Sequence, residues 1–257
     1  MVSKVLKKLY IALILIFLYA PIVVMIVLSF NEGRSPAQWE GFSFKWYVEL
    51  FGDRNIMEAL KVTVSVAVIA TVVSTVLGTL AAIGIHAMKK GWASWILNIS
   101  YLPMTMPDIV TGISLMLLFI QINIPTGFWT MVLAHIAFDT PYVLFNVLPR
   151  LRQMNPNMYE AALDLGCTPM KAIFKVIIPE ISPGIVTGML MAFTMSIDDF
   201  IISYFTGGTV NNLSMAVYGS AKRGVSPSMY ALFALMFVVV LSLLLIINKR
   251  SSLEDVR

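Results

Sequence analysis

Apolar positions dominate six stretches of this chain: Leu9–Phe30, Val62–Met88, Trp92–Ile120, Phe128–Leu148, Pro183–Phe205 and Tyr230–Asn248. A helix rises about 1.5 Å per residue, so each stretch can cross the roughly 30 Å hydrocarbon core of a bilayer. The pattern predicts an all-α membrane protein: one transmembrane domain over residues 1–257 with six spans. The third stretch is broken by Pro103 and Pro107, which a span tolerates when neighbouring helices or side chains satisfy the freed carbonyls. Two connections are long. Asn31–Lys61 holds Phe44, Trp46, Tyr47, Leu50 and Phe51 at the spacing of one face of a short helix, suited to the membrane interface. Residues 150–182 form a loop too long for a simple turn.

Composition agrees with this reading. The 257 residues are 58% hydrophobic and 12% charged, about half the roughly 25% charge of a soluble domain. Lys and Arg set the orientation. Twelve of the 18 fall on one side: Lys4, Lys7 and Lys8; Lys89 and Lys90; Arg150, Arg152, Lys171 and Lys175; Lys249, Arg250 and Arg257. The other side has six: Arg34, Lys45, Arg54, Lys61, Lys222 and Arg223. Both termini are therefore expected in the cytoplasm. The first apolar run outlasts the roughly 7–15 residues of a signal-peptide core, and Pro21 follows Ala20 where cleavage would be sought, so an uncleaved span is expected. The net charge of +4 needs only basic loops to explain it, and the scattered basic residues give no nucleic-acid footprint. The lone Cys167 excludes an intrachain disulfide, and His86 and His135 are too far apart for a local zinc motif, so no metal site is expected.

The loop after the fourth stretch reads Glu160-Ala161-Ala162-Leu163-Asp164-Leu165-Gly166, then nine residues, then Val176-Ile177-Ile178-Pro179. Asn155-Pro156-Asn157 offers a helix start, Glu160 suits the first turns, and Gly166 can take the left-handed conformation that ends a helix. Pro169 permits a second helix from Met170. This segment resembles the EAA signature of bacterial ABC importer permeases in spacing and position, departing only by Val176 for Ile and Ile178 for Leu. The resemblance implies a MetI-like bundle whose cytoplasmic coupling helix, with Glu160, Ala161, Ala162, Gly166 and Pro179, docks on an ATPase subunit. No G-x-x-x-x-G-K-[ST] sequence occurs, so the chain is expected to bind no cofactor itself and to leave ATP to partner subunits.

Four carboxylates fall within the predicted spans: Asp108, Asp139, Asp198 and Asp199. Each costs roughly 2.5–3.5 kcal/mol near the bilayer centre, and no Lys or Arg lies deep in a span to neutralise them. The expected cargo is a cation. Straight helices would put Asp108 roughly 24 Å, and Asp198 and Asp199 roughly 22–24 Å, from the cytoplasmic ends, with Asp139 about 17 Å below the outer end. On one helix Asp198 and Asp199 point about 100° apart, so one can face a path while the other bonds a neighbouring helix. Asp139 precedes Thr140-Pro141 and reads first as a partner for a kinked backbone, with cargo contact as the alternative. His135 reads as a packed or hydrogen-bonded helix residue, and Trp46 as either a cargo contact or an interface anchor. Tyr101, Phe200 and Tyr204 can wall a cation path. Gly184 and Gly188 form a small-xxx-small pair for close helix packing.

Over nearly its full length the chain also resembles spermidine/putrescine importer permeases of the PotC type, most clearly in Met106-Pro107-Asp108-Ile109-Val110, residues 193–200 and Gly224-Val225-Ser226-Pro227. That resemblance implies roles in uptake for Trp46, Asp108, Ser196, Asp198 and Asp199. It also implies four kinds of partner: a second permease subunit, an ATPase dimer, a soluble polyamine-binding protein and membrane lipid. The family's acidic inner-loop position is Pro169 here, and no role is carried to it. The alternatives are an ABC permease for another small cation or ferric iron, and a proton-driven secondary carrier. No nucleophile–base pair is apparent, so a catalytic role is not expected.

Overall fold

The computed structural model describes residues 2–155 and 157–254. Pro156 of the predicted helix start and Arg257 of the basic set lie outside the described residues. Twelve α-helices follow one another among the described residues, with one isolated bridge between Asn31 and Phe42. The chain divides into two compact units, Met1–Met57 with Ala216–Arg257, and Glu58–Met215.

In the first unit, α1 (Val2–Leu28) carries an apolar span at Leu6–Leu28 whose side chains are unburied by the rest of the chain. A bare, fully apolar helix of this length is stable only in lipid or against another membrane helix. After it the chain turns back on Asn31. The Asn31 amide donates to the carbonyls of Gln38 (2.8 Å) and Ser35 (3.3 Å), and its Oδ1 accepts from the Glu40 amide at 2.9 Å. The expected interfacial helix is present as α2 (Lys45–Gly52). Its buried stripe is narrower than the sequence suggests: Trp46 and Leu50, one turn apart, are buried, while Phe44 and Phe51 are exposed. Phe30, Phe42, Phe44 and Tyr47 stack against one another beside it. The helices α11 (Leu213–Arg223) and α12 (Pro227–Glu254) end the chain, and α12 packs on α1 and α2.

The second unit holds most of α3 (Arg54–Ala87), whose 34 residues extend two turns before the predicted start at Val62. The predicted third span is two helices, α4 (Lys90–Thr105) and α5 (Asp108–Gln121), bent by 106° at the break. Met106 and Pro107 are extended there, because proline disfavours the helical conformation in the residue before it. Next comes α6 (Phe128–Gln153), which starts where the sequence places it and runs through Pro141 and Pro149. Then α7 (Asn157–Asp164) and α8 (Pro169–Ala172) form the predicted helix–turn–helix.

The predicted fifth span starts too late. Helix is continuous from Pro169 to Asp198: α8, a π-helical turn Ile173–Ile177, and α9 (Ile178–Asp198). Pro179 lies two residues past the π turn. Proline removes a backbone donor and crowds the preceding carbonyls, and one wider turn relieves both conflicts without ending the helix. The span is also shorter at its far end. Asp199 is extended (φ −65°, ψ 126°) and the short α10 (Ile201–Thr206) follows.

The core of this unit is the α6–α9 contact. Val143, Leu144, Val147 and Leu148 of α6 pack with Ile177, Ile181 and Ala192. A Cβ at Gly184 would lie 2.9 Å from the Asn146 carbonyl oxygen, and one at Gly188 would lie 3.0 Å from the Val143 Cα. The small pair therefore lets two backbones touch, as expected. Among the described residues, four helices are long and apolar enough to cross a membrane, or five counting the bent pair. The predicted sixth span falls on α12, whose described apolar stretch is Pro227–Val238.

Candidate functional site

The break between α9 and α10 organises the acidic residues. Asp199 sits in it with both carboxylate oxygens on the start of α10: Oδ1 accepts from the Ile202 amide (3.1 Å) and Oδ2 from the Ser203 amide (2.7 Å). An acidic side chain capping a helix start satisfies donors that the helix itself leaves free. The Asn212 amide closes the corner by donating to the Asp199 carbonyl at 3.0 Å.

His135 of α6 reaches the same place. Its Nδ1 lies 2.6 Å from Ser196 Oγ on the last turns of α9, and its Nε2 lies 2.9 Å from Ser203 Oγ on α10. The same Nε2 is 3.3 Å from Asp199 Oδ2. A neutral imidazole with its proton on Nε2 satisfies the set: Ser196 donates to Nδ1, and Nε2–H points at Ser203 and Asp199. His135, Ser196 and Ser203 are almost fully buried. The expected absence of a counter-group for the acids is thus corrected for Asp199, which has His135. The physical reason is tertiary: the break turns the Asp199 side chain back toward α6.

The predicted site residues therefore separate. Ser196 and Asp199 are joined through His135 in one buried network. Asp108 and Asp198 are exposed, with no ion pair to either among the described residues. Asp108 opens α5 immediately after the bend, where the helix start favours a carboxylate. Its depth along one straight helix no longer applies, because the helix turns at Pro107. Asp198 ends α9 and Asp199 lies outside it, so the two are not neighbours on one helix.

Asp139 is fully buried, and neither of its carboxyl oxygens has a partner among the described residues. The expected backbone role goes to Thr140, whose hydroxyl donates to the Ile136 carbonyl at 2.6 Å. Asp139 lies within electrostatic reach of Asp199, and Tyr142 within reach of both Asp108 and Asp139. Tyr142 is half-buried and edge-on to Phe138 at 5.2 Å. Trp46, in the first unit, is buried, and its indole Nε1–H donates to the Asn31 carbonyl at 2.6 Å. The Lys45 ammonium lies 4.9 Å from the Trp46 ring centroid. Trp46 thus ties α2 to the turn at Asn31.

At the other end of the continuous helix from Pro169 to Asp198, the segment around Gly166 has the geometry expected from its spacing. Gly166 has φ +84°. Its amide donates to the Leu163 carbonyl (2.9 Å), and the Cys167 amide donates to the Ala162 carbonyl (3.0 Å). That is the paired closure of a Schellman turn, which needs a residue in the left-handed region. Pro169 is the first residue of α8, one before the predicted start. Ala162 is buried under the turn, Glu160 is exposed in the first turn of α7, and Pro179 lies at the start of α9. Leu165 (87% exposed), Met170 and Phe174 stand out around it as an apolar surface.

Residues 74–251 match the family described as "Binding-protein-dependent transport system inner membrane component". Among curated proteins, the chain is 34% identical to the spermidine/putrescine transport system permease protein PotC of Escherichia coli K12, over 99% of this chain and 96% of that one. It is 34% identical to PotC of Haemophilus influenzae, over 94% of each. It is 38% identical to the putrescine transport system permease protein PotI of E. coli K12, over 87% of this chain and 83% of that one. Among solved structures, a chain of a bacterial ABC transporter that imports alginate superposes with a TM-score of 0.73 at 18% identity, covering 98% of this chain and 95% of that one. A chain of the inward-facing MetNI methionine ABC transporter gives 0.62 at 16% identity, covering 76% and 93%. These two likenesses establish the fold.

Proposed function

We propose that this chain, which belongs to the family of binding-protein-dependent transport system inner membrane components, is the permease subunit of an ATP-driven importer of spermidine or putrescine. The observation that carries the reading is identity above 30% along almost the whole chain to permeases named for those two amines. The chain is the non-catalytic membrane component. ATP is bound and hydrolysed by a separate ATPase dimer, a second permease completes the path, and a soluble polyamine-binding protein delivers the cargo. Both termini lie in the cytoplasm, on the side of the larger share of Lys and Arg.

The geometry fits such a division of labour. The Gly166 turn presents Leu165, Met170 and Phe174 as an apolar knob on short helices, suited to a cleft on the ATPase. Glu160, Ala161, Ala162 and Gly166 build that turn, and the continuous helix from Pro169 through Pro179 to Asp198 carries its movement to the acidic end. Cargo ammonium groups meet the exposed carboxylates of Asp108 and Asp198, with Ser196 and Asp199 ordering the α9–α10 corner behind them.

Uptake of radiolabelled spermidine and putrescine by the complex reconstituted with its ATPase, sister permease and binding protein tests this. Asp108→Asn and Asp198→Asn should each raise the KM for uptake by roughly tenfold or more, the loss expected for one charge-assisted contact. Unchanged KM in both variants would remove the cargo assignment. Uptake driven by a proton gradient without ATP would favour a secondary carrier, and uptake of ferric iron in place of amines would favour the other cargo.

A further inference from the structure

We propose that His135 is a positioning residue of the cation path: it clamps the break between α9 and α10 and so fixes where the Asp198 carboxylate points. The inference rests on the polyamine reading for its cargo, but not for its geometry.

Three facts converge on it. First, Asp198 is the last residue of α9 and the backbone leaves the helix at Asp199. The direction of the Asp198 side chain therefore depends on how that break is held. Second, one imidazole touches both sides of the break: Ser196, two residues before Asp198, and Ser203 and Asp199 beyond it. A planar ring whose two nitrogens point in diverging directions sets the spacing between its two partners. Third, the ring is anchored on α6, the helix that packs along the length of α9. Ala134 and Phe138 of the same helix are buried as well. The clamp is therefore referred to the most closely packed helix pair of its unit.

The remaining groups at the corner cannot do this job. Asp199 and Asn212 hold α10 and the following loop to the corner, but neither reaches back to α9. Without the imidazole, the Ser196 hydroxyl and one edge of the Asp199 carboxylate lose their hydrogen-bonding partner from α6 in a buried site. Buried polar groups left in that way drive local rearrangement. On this view Ser196 and Asp199 influence uptake through His135, without touching cargo themselves.

The test uses the reconstituted complex with His135→Leu, similar in bulk but without polar atoms, and His135→Gln, which can still accept from Ser196 and donate to Asp199. His135→Leu should raise the KM for spermidine about tenfold while basal ATPase and assembly stay intact, and His135→Gln should recover most of the loss. Ser196→Ala added to His135→Leu should cost little more than His135→Leu alone, since partners in one network are not additive. A wild-type KM in His135→Leu, additive losses in the double variant, or equal loss of assembly in both His135 variants would overturn the assignment. A second reading does not depend on cargo. Asp198→Cys, with Cys167→Ser, reports the position of residue 198 by its rate of labelling with a membrane-impermeant thiol reagent. His135→Leu should shift that rate several-fold and His135→Gln should not. An unchanged rate would sink the clamp even if polyamines are the cargo. A shifted rate in a complex that imports no polyamine would uphold the clamp and reject only the cargo.

Discussion

Gly166 offers the cleanest separation of conformation from bulk. Its φ of +84° lies in the left-handed region, yet a Cβ built on it meets nothing within 4 Å. Substitution there is therefore penalised by the backbone alone. A residue with a Cβ is disfavoured in that region by about 1–2 kcal/mol, which corresponds to a roughly five- to thirtyfold fall in the population of the turn. If the ATPase recognises α7 and α8 as this turn sets them, Gly166→Ala should weaken binding of the purified ATPase subunit by that factor. Gly166→Asn should stay within about twofold of wild type, because asparagine enters the left-handed region readily. Gly166→Asp should fall between them in turn formation and lose coupled uptake through its added charge beside Leu165. The assay is a titration of ATPase subunit onto the permease in nanodiscs, read beside uptake. Equal loss in Gly166→Asn and Gly166→Ala would mean that docking space around the turn matters and its handedness does not. Wild-type binding by Gly166→Ala would refute the reasoning outright.

Two further outcomes follow from packing. Gly188→Val should lower thermal stability in detergent by about 1–3 kcal/mol, the usual range for overpacking, since its Cβ would press on the Val143 backbone at 3.0 Å; an unchanged unfolding temperature would argue against close α6–α9 contact. Trp46→Phe should leave the Asn31 carbonyl without its donor, cost about 1–3 kcal/mol, and speed proteolysis of residues 29–53 while leaving the KM for uptake in place. A raised KM with unchanged proteolysis would instead make Trp46 a cargo contact.

What could be read from the sequence was local. The coupling turn is a matter of a few consecutive residues, so Gly166 and Pro169 announced it within one position. The small pair Gly184 and Gly188 worked for the same reason. Prolines acted in two ways. Pro107 marks a bend of 106°, whereas Pro179 and Pro183 sit inside one continuous helix; a proline removes one donor in either case, and tertiary packing decides whether the chain bends or widens a turn. The break at Asp199 carries no Gly or Pro. Its signal was an acidic cap before an apolar run, hidden inside a longer apolar run. The His135–Asp199 contact joins residues far apart in the chain, which no periodicity reports. Which of the two neighbouring acids bonds another helix therefore stayed open in the sequence.

The separation of those acids has a physical logic for a carrier of multiply charged cations. Opposite unit charges about 4 Å apart attract by about 1 kcal/mol in water but about 4 kcal/mol at the dielectric of a partly buried site. An ammonium held by several unpaired buried carboxylates would bind too tightly to leave, and a path must release what it admits. Tying Asp199 to His135 and to the start of α10 removes one strong trap and converts its charge into rigidity at the corner. On the proposed reading Asp108 and Asp198, which remain exposed, each attract cargo weakly, and the methylenes between ammonium groups slide past aromatic side chains. A flexible polyamine is suited to such a path because it can exchange one weak contact for the next without ever leaving all of them.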